Sequence, residues 1–295
     1  MTFVIMIFTL TALAWISFIC YNIYYILSDT FAEKGDLTMK ILLFDLDGTL
    51  LSSEKTISPL TIDTLNQCRE TGLLIGVSTS RSQQNSLKYI SELAPDIIVS
   101  SGGALITYRN EPVYKAEFSV NEVNRIIRTS REICGADCEI TVDTMDSHYW
   151  NYKTDPKAMD KQWDGTVYCD FSEEFPEPSL KICVEIADVD NARQLRETLS
   201  EYDSIRFTDG NWYKFTKKEA TKENAIEKLC DILHISASDI MAFGDDLADI
   251  GMLKMCGLGV AMGNAVEEAK AAADIVIGTN DEDGIAYFLK EKFLR

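Results

Sequence analysis

Histidine is nearly absent from the 295-residue chain, with only His148 and His234, and the eight cysteines are scattered without a Cys-x-x-Cys pair. A Cys/His zinc site, which needs clustered ligands, is thereby excluded. Cys68, Cys183 and Cys230 fall inside apolar periodic stretches and read as small buried hydrophobes. The thiols read as reduced, so a cytoplasmic catalytic part is expected. Positive charge is scarce: 28 Lys and Arg stand against 47 Asp and Glu, a net charge of -19 and a pI near 4.5. That excludes nucleic acid as a partner, because phosphate backbones are bound by clustered Lys and Arg. A small phosphorylated molecule stays open, since a divalent cation can make one site locally positive. Internal repeats and low-complexity tracts are also absent. What is present, 46% hydrophobic and 25% charged residues, suffices for one large or two ordinary globular domains and argues against disorder.

Residues 1–28 stand apart. No charged side chain occurs before Asp29, and the run is long enough to cross a bilayer. A signal peptide fits less well, because no Lys or Arg precedes the run and no small-residue cleavage site follows it. The flanking Asp29, Glu33, Lys34, Asp36 and Lys40 set no orientation. A second reading starts translation at Met39, just before the first core strand. Membrane association through residues 1–27 and an over-extended start are therefore both open.

From Lys40 onward, short apolar runs alternate with amphipathic helices, the pattern of a doubly wound parallel sheet covered on both faces. Strands are expected at 41–44, 73–78, 97–100, 240–243, 258–261 and 275–277. A helix follows the first, with Ser58 as N-cap, Pro59 at its first position and Gly72 beyond its end. Another begins near Thr221. Residues 116–209 differ, mixing helix-like 120–133 and 190–199 with strand-like 139–142, 149–152 and 180–186. They read as an α+β domain inserted into a core made of 39–115 and 210–295.

The chemistry gathers at strand ends. Asp45 and Asp47 are two residues apart on an extended chain, so both project to one side at the carboxyl end of the first strand. Gly48 and Thr49 then turn the chain. Two close carboxylates attract a hard cation such as Mg²⁺, although an Asp-x-Asp-Gly turn is also an ordinary solvated loop. A second apolar strand delivers Asp245, Asp246 and Asp249, which either complete a metal site or cap the following helix. Val77-Ser78-Thr79-Ser80-Arg81 ends a strand with hydroxyls. Thr221-Lys222 opens a helix, where unpaired N–H groups and a lysine suit a phosphoryl group.

The ordered set FDLDGTL, STSR, ATKENA and GDDLAD closely resembles the haloacid dehalogenase (HAD) superfamily. The segment Val260-Ala261-Met262-Gly263-Asn264-Ala265 and the long insertion are similar to its Cof-type, type IIB branch. The resemblance implies a Rossmann-like core with an inserted α+β cap, and a Mg²⁺-dependent phosphatase for a small phosphorylated metabolite. A sugar phosphate, a polyol phosphate or a flavin nucleotide would fit; a phosphomutase of the same architecture and, further off, a non-catalytic membrane-associated binding protein are the alternatives. It also implies roles: Asp45 as nucleophile, Asp47 as general acid/base, and Thr79, Lys222 and Asn264 at the phosphate. Mg²⁺ would be held by Asp45, the Asp47 carbonyl and Asp245, with Asp249 orienting water or Lys222. Ser80, Ala248 and Gly102 depart from the residues usual in that branch. Tyr149, Trp150, Tyr152 and Trp163 in the insertion face either a substrate ring or the interior of the inserted domain.

Overall fold

The computed structural model describes residues 39–158, 163–207 and 210–294. The apolar segment 1–28 and its anchor reading lie outside these residues. Among the described residues no helix is long and apolar enough to cross a membrane. Residues 39–295 form one compact unit built on two sheets.

The larger sheet has eight strands. Its centre is β1 (Ile41–Phe44), flanked by β2 (Leu74–Ser78) and, on the other side, by β12 (Ile240–Gly244). Beyond β2 lies β3 (Ile97–Ser100), and beyond β12 lie β13 (Leu258–Ala261) and β14 (Ile275–Val276), all parallel. All four β1 side chains are fully buried, because helices cover both faces and leave no solvated side to alternate towards. Ile41 and Leu43 pack on Ile226 and Leu229 of helix α5 (Lys222–Leu233) and on Met252 of α6 (Ile250–Met255). On the opposite face Phe44 stacks on Phe243 at 4.5 Å, and Phe243 meets Phe288 of α8 (Gly284–Phe293) edge-on.

The first helix, α1 (Pro59–Glu70), starts where the sequence places it, with the Ser58 hydroxyl accepting from the Thr61 N–H at 3.0 Å. An antiparallel hairpin, β4 (Leu105–Tyr108) and β5 (Glu111–Lys115), adds an edge that sequence reasoning missed. Its turn residues Arg109 and Asn110 both have positive φ, as a type I′ turn requires, but Arg-Asn lacks the glycine that usually signals one. Helix α2 (Gln83–Ile90) covers β3.

The second sheet has six strands in the order β10-β11-β9-β6-β7-β8. In chain order these are β6 (Ile140–Asp143), β7 (His148–Trp150), β8 (Val167–Tyr168), β9 (Lys181–Glu185), β10 (Asp203–Arg206) and β11 (Trp212–Thr216). Helices α3 (Val120–Cys134) and α4 (Val189–Thr198) cover one face through Val123, Ile126, Ala192 and Leu195, packed on Ile140, Val142, Ile182, Val184 and Phe215. This sheet runs on to Thr216, so the return to the first sheet falls after β11 and not at residue 210 as the sequence suggested. The reason is pairing: the alternating β11 docks its Tyr213 and Phe215 into this apolar layer beside β9. Helix α7 (Glu267–Ala272) completes the first layer between β13 and β14.

Candidate active site

The strand order reverses at β1, with β2 on one side and β12 on the other, and ligands of open α/β sheets bind at the carboxyl ends beside such a switch point. Asp45 leaves β1 at that end, its N–H donating to the Phe243 carbonyl at 2.9 Å. The following turn depends on Gly48. Its φ of +82° is poorly tolerated by other residues, and a Cβ there would lie 2.3 Å from Asp245 Oδ2. Gly48 thus lets the β12 loop close over the β1 loop, where the Thr49 hydroxyl donates to Asp245 Oδ1 at 2.6 Å.

Lys222 is the first residue of α5, oriented by Thr221, whose side chain accepts from the Asn224 N–H at 3.1 Å. Its buried ammonium donates to Asp45 Oδ1 at 2.5 Å and to Asp249 Oδ1 at 2.6 Å. The other Asp249 oxygen accepts from the N–H groups of Asp245 and Asp246, at 3.0 and 3.1 Å. Asp249 therefore spends both oxygens holding its own loop and Lys222. Asp45, Asp245 and Asp249 each offer an oxygen within 4.8 Å of the others. Crowded negative charge shows in the titration: burial, opposed by Lys222 and reinforced by Asp249, raises the Asp45 carboxyl well above its usual range. Burial, with Asp249 and Asp246 nearby and against the Thr49 hydrogen bond, lifts Asp245 to about 6.

Asp47 faces elsewhere. Arg81 grips both its oxygens, Nε to Oδ2 at 2.6 Å and one terminal nitrogen to Oδ1 at 2.7 Å, and Lys55 Nζ adds a contact at 2.8 Å. Partial burial alone would raise this carboxyl, but the two cations outweigh it and hold it below the usual range. Lys55 carried no sequence signal. It belongs to a loop residue with positive φ, and only the folded turn brings it back over Asp47.

Thr79 is buried at the end of β2, its N–H on the Val99 carbonyl at 2.8 Å and its hydroxyl accepting from the Arg81 N–H at 3.1 Å. Asn264 clamps two loops: Nδ2 donates to the Gly48 carbonyl at 2.8 Å and Oδ1 accepts from the Asn280 N–H at 3.0 Å. The fold thus gathers buried Asp45, Lys222 and Asp249 with half-buried Asp245 into one cluster, sets Asp47 with Arg81 beside it, and engages Asn264 with the backbone of the β1 loop.

A family model described as haloacid dehalogenase-like hydrolase matches residues 42–289, a span that contains every one of these residues. The chain belongs to the haloacid dehalogenase-like hydrolases. A protein of Haemophilus influenzae is 31% identical over 268 residues, covering 86% of this chain and 98% of that one. The 5-amino-6-(5-phospho-D-ribitylamino)uracil phosphatase YcsE of Bacillus subtilis is 29% identical and covers 86% of this chain and 96% of its own. Among solved structures, a HAD subclass IIB sugar phosphatase superposes with a TM-score of 0.72 at 25% identity, covering 87% of this chain and all of that one. The chain is accordingly a Cof-type HAD phosphatase, a phosphoric monoester hydrolase.

In this HAD phosphatase the second sheet contributes groups that sequence reasoning did not single out. Its face away from α3 and α4 carries Asp143, Lys181 and Lys214, and Lys181 Nζ reaches the Ser80 carbonyl at 3.3 Å, beside the carboxyl end of β2. Trp150 lies on that face against Trp163 and Trp212, with ring centroids 5.5 and 5.8 Å away. Tyr149 points the other way, onto Phe175 in the apolar layer. Strand alternation could have separated the two rings had the β7 register been known.

Proposed function

We propose that this HAD phosphatase hydrolyses a small phosphorylated metabolite with Mg²⁺, through a phosphoryl group carried on Asp45. The observation that carries the reading is the state of the Asp45 carboxylate: pinned through Oδ1 to Lys222 at 2.5 Å, and with no hydrogen bond on Oδ2 among the described residues. An oxygen held in place by its twin, and itself uncommitted, suits in-line attack on phosphorus. Asp47 does not have that freedom, since Arg81 and Lys55 engage both its oxygens.

Asp45 Oδ2 attacks, the phosphorus–oxygen bond to the substrate alcohol breaks, and Asp47, which enters this step as the carboxylic acid after taking a proton from solvent, gives that proton to the leaving alkoxide. Asp47, ionised again beside Arg81, then takes a proton from water as the water attacks the aspartyl-phosphate, releasing inorganic phosphate and restoring Asp45. Lys222 and the Thr79 hydroxyl offset charge on the equatorial phosphoryl oxygens. Asn264 takes part by fixing the Gly48 turn, and its contact with the phosphate belongs to this proposal.

Mg²⁺ fits the residues present. Asp45 and Asp245 bring hard oxygen donors into a buried cluster with more negative than positive charge, and Asp245 Oδ2 has no protein hydrogen bond among the described residues. Asp45, Asp245 and the Asp47 carbonyl would hold the ion, with Asp249 positioning Lys222 and the Asp245 loop. When bound, it supplies charge neutralisation at the phosphoryl oxygens and between the two carboxylates.

The unit carrying the second sheet, from about residue 116 to Thr216, acts in this reading as the cap that excludes water from the reacting centre. The substrate is a sugar phosphate, a polyol phosphate or a flavin precursor, by analogy with the ribitylaminouracil phosphatases and the sugar phosphatase. Phosphate release from a panel of such esters, with and without Mg²⁺, tests this beside Asp45→Asn. The expected result is Mg²⁺-dependent turnover that falls at least a thousandfold in the variant. Turnover that survives the substitution overturns the mechanism.

A further inference from the structure

Among the described residues one largely buried lysine forms no ion pair; the carboxylate of Asp203 in β10, which lies opposite Thr216 on the same face, acts on it only at longer range. Lys214 sits in β11 with 6% of its surface exposed, and among the described residues its ammonium has neither a hydrogen bond nor an ion pair. Its neighbours are all accounted for differently. Lys181 pairs with Asp143 at 2.8 Å, Lys222 with Asp45 and Asp249, and Arg81 with Asp47. A lysine whose side chain is largely buried is normally paired with a carboxylate, because removing its charge from water is otherwise unfavourable.

The position of Lys214 is set by register. Lys214 lies opposite Cys183, and Thr141 opposite Cys183 on its other side, while Lys181 lies opposite Asp143 and Asp143 opposite His148. Side chains two apart on a strand share a face, so Thr141, Asp143, His148, Lys181, Lys214 and Thr216 all stand on the face away from the apolar layer. That face meets the loops at the carboxyl ends of β2 and β3. Lys181 reaches Ser80, and a Cβ on Gly102 would lie 2.8 Å from Lys214 Nζ. Burial first and then the charge of Lys181 push the Lys214 ammonium below its usual range, with Cys183 and Asp203 acting against the shift and Lys222 adding a smaller push in the same direction. Near it, Thr216 two residues along β11 and Ser101 beside Gly102 carry buried hydroxyls with no hydrogen-bond partner among the described residues.

We propose that Lys214 is a specificity residue that binds a second anionic group of the substrate, remote from the phosphoryl group that is transferred. This deepens the phosphatase reading and rests on it: Lys222 and Thr79 take the transferred group, while Lys214, with Ser101 and Thr216, takes a carboxylate or a second phosphate at the other end. The substrate class is thereby narrowed from phosphomonoesters in general to those carrying a further anion. Lys181, already neutralised by Asp143, holds the Ser80 loop and does not compete for it.

The test compares three matched linear ligands: glucitol 6-phosphate, 6-phosphogluconate and glucitol 1,6-bisphosphate, which carry at C1 a hydroxymethyl, a carboxylate and a phosphate ester. Binding to the full chain is measured by calorimetry in EDTA, so that no turnover is needed. One of the two ligands that carry a second anionic group should bind at least tenfold tighter than glucitol 6-phosphate, and which one does so identifies the group read. In Lys214→Met that ratio should fall to within about twofold. The variant should also unfold at a higher temperature than the wild type without ligand, because an uncompensated charge has been replaced by an apolar chain. The proposal is overturned if wild type binds all three equally, or if Lys214→Met preserves the preference. Phosphate release from the same ligands with Mg²⁺ is read separately: its absence from every ester would sink the phosphatase reading while the binding ratio still decides the subsite.

Discussion

Asp45 and Asp47 are the same residue type two positions apart, and their neighbours sort them. Lys222 holds one oxygen of Asp45 and leaves the other uncommitted, whereas Arg81 and Lys55 hold Asp47 as a carboxylate in a site about one-third open to solvent. If Asp47 is the proton donor, Asp47→Asn should slow sugar-phosphate hydrolysis by about 10²–10⁴, the usual size of acid–base catalysis. With p-nitrophenyl phosphate, whose leaving group needs no proton, the same variant should give a burst of p-nitrophenol equal to the enzyme concentration, followed by slow turnover. A slow first turnover would assign Asp47 a different role. Arg81→Met removes the partner that stabilises the Asp47 carboxylate, so the carboxyl titrates higher and its protonated form persists to higher pH. The basic limb of the kcat/KM profile for alcohol esters should move upward; an unmoved limb would mean that it reports another group. At this scale both acids and Lys222 stood out as candidates from their position at strand and helix ends, while Asp245 was separated from Asp246 and Asp249 only by the family resemblance. The Lys55 contact was not, because it depends on how one loop returns.

Among the elements, the β1 loop is the most exacting. Gly48→Ala combines a positive φ, which costs on the order of 1–3 kcal/mol for other residues, with a methyl group aimed at Asp245 Oδ2. Displacing a ligand by about 1 Å typically costs about 100-fold in rate. Activity should drop by that order and the Mg²⁺ requirement should rise, as measured by initial rates over a Mg²⁺ series; unchanged affinity for Mg²⁺ would separate Asp245 from the metal. A control on stability alone is available at α3, where Ser119 and Glu122 form a reciprocal cap. Ser119→Ala should lower stability by about 1 kcal/mol, read from a denaturation midpoint, without lowering kcat. The helix starts at Ser58 and Thr221 could be read from the sequence because capping is local. The β4–β5 hairpin escaped because its turn uses Arg109 and Asn110, and β11 escaped as a strand altogether, its residues being counted with the core because local sequence does not show which sheet a segment pairs with.

For the molecule as a whole, the acidic cluster ties stability to pH and to metal. Asp245 titrates near 6 in the fold against a usual 3.8, and Asp45 shifts in the same direction. The native state therefore binds more protons than the unfolded chain between those values, and stability falls as pH rises through that window. In EDTA, unfolding free energies from urea titrations should decline between about pH 4 and pH 6, by roughly 1–3 kcal/mol for Asp245 alone. Mg²⁺ should restore the lost stability, since it binds only the folded cluster, and Asp245→Asn should flatten the slope. A flat profile for the wild type would show that the cluster is compensated some other way. The sequence by itself determined the doubly wound sheet, the strand ends that carry Asp45, Thr79 and Asp245, and the helix that carries Lys222. These follow from local periodicity, capping and turn chemistry. Only the tertiary structure decided that Arg81 and Lys55 clamp Asp47, that Asn264 ties down the Gly48 turn, and that Lys214 is largely buried with no ion pair among the described residues. Each of those depends on which residues meet across a sheet register or between two loops, and pairings of that kind leave no trace in the spacing along one chain.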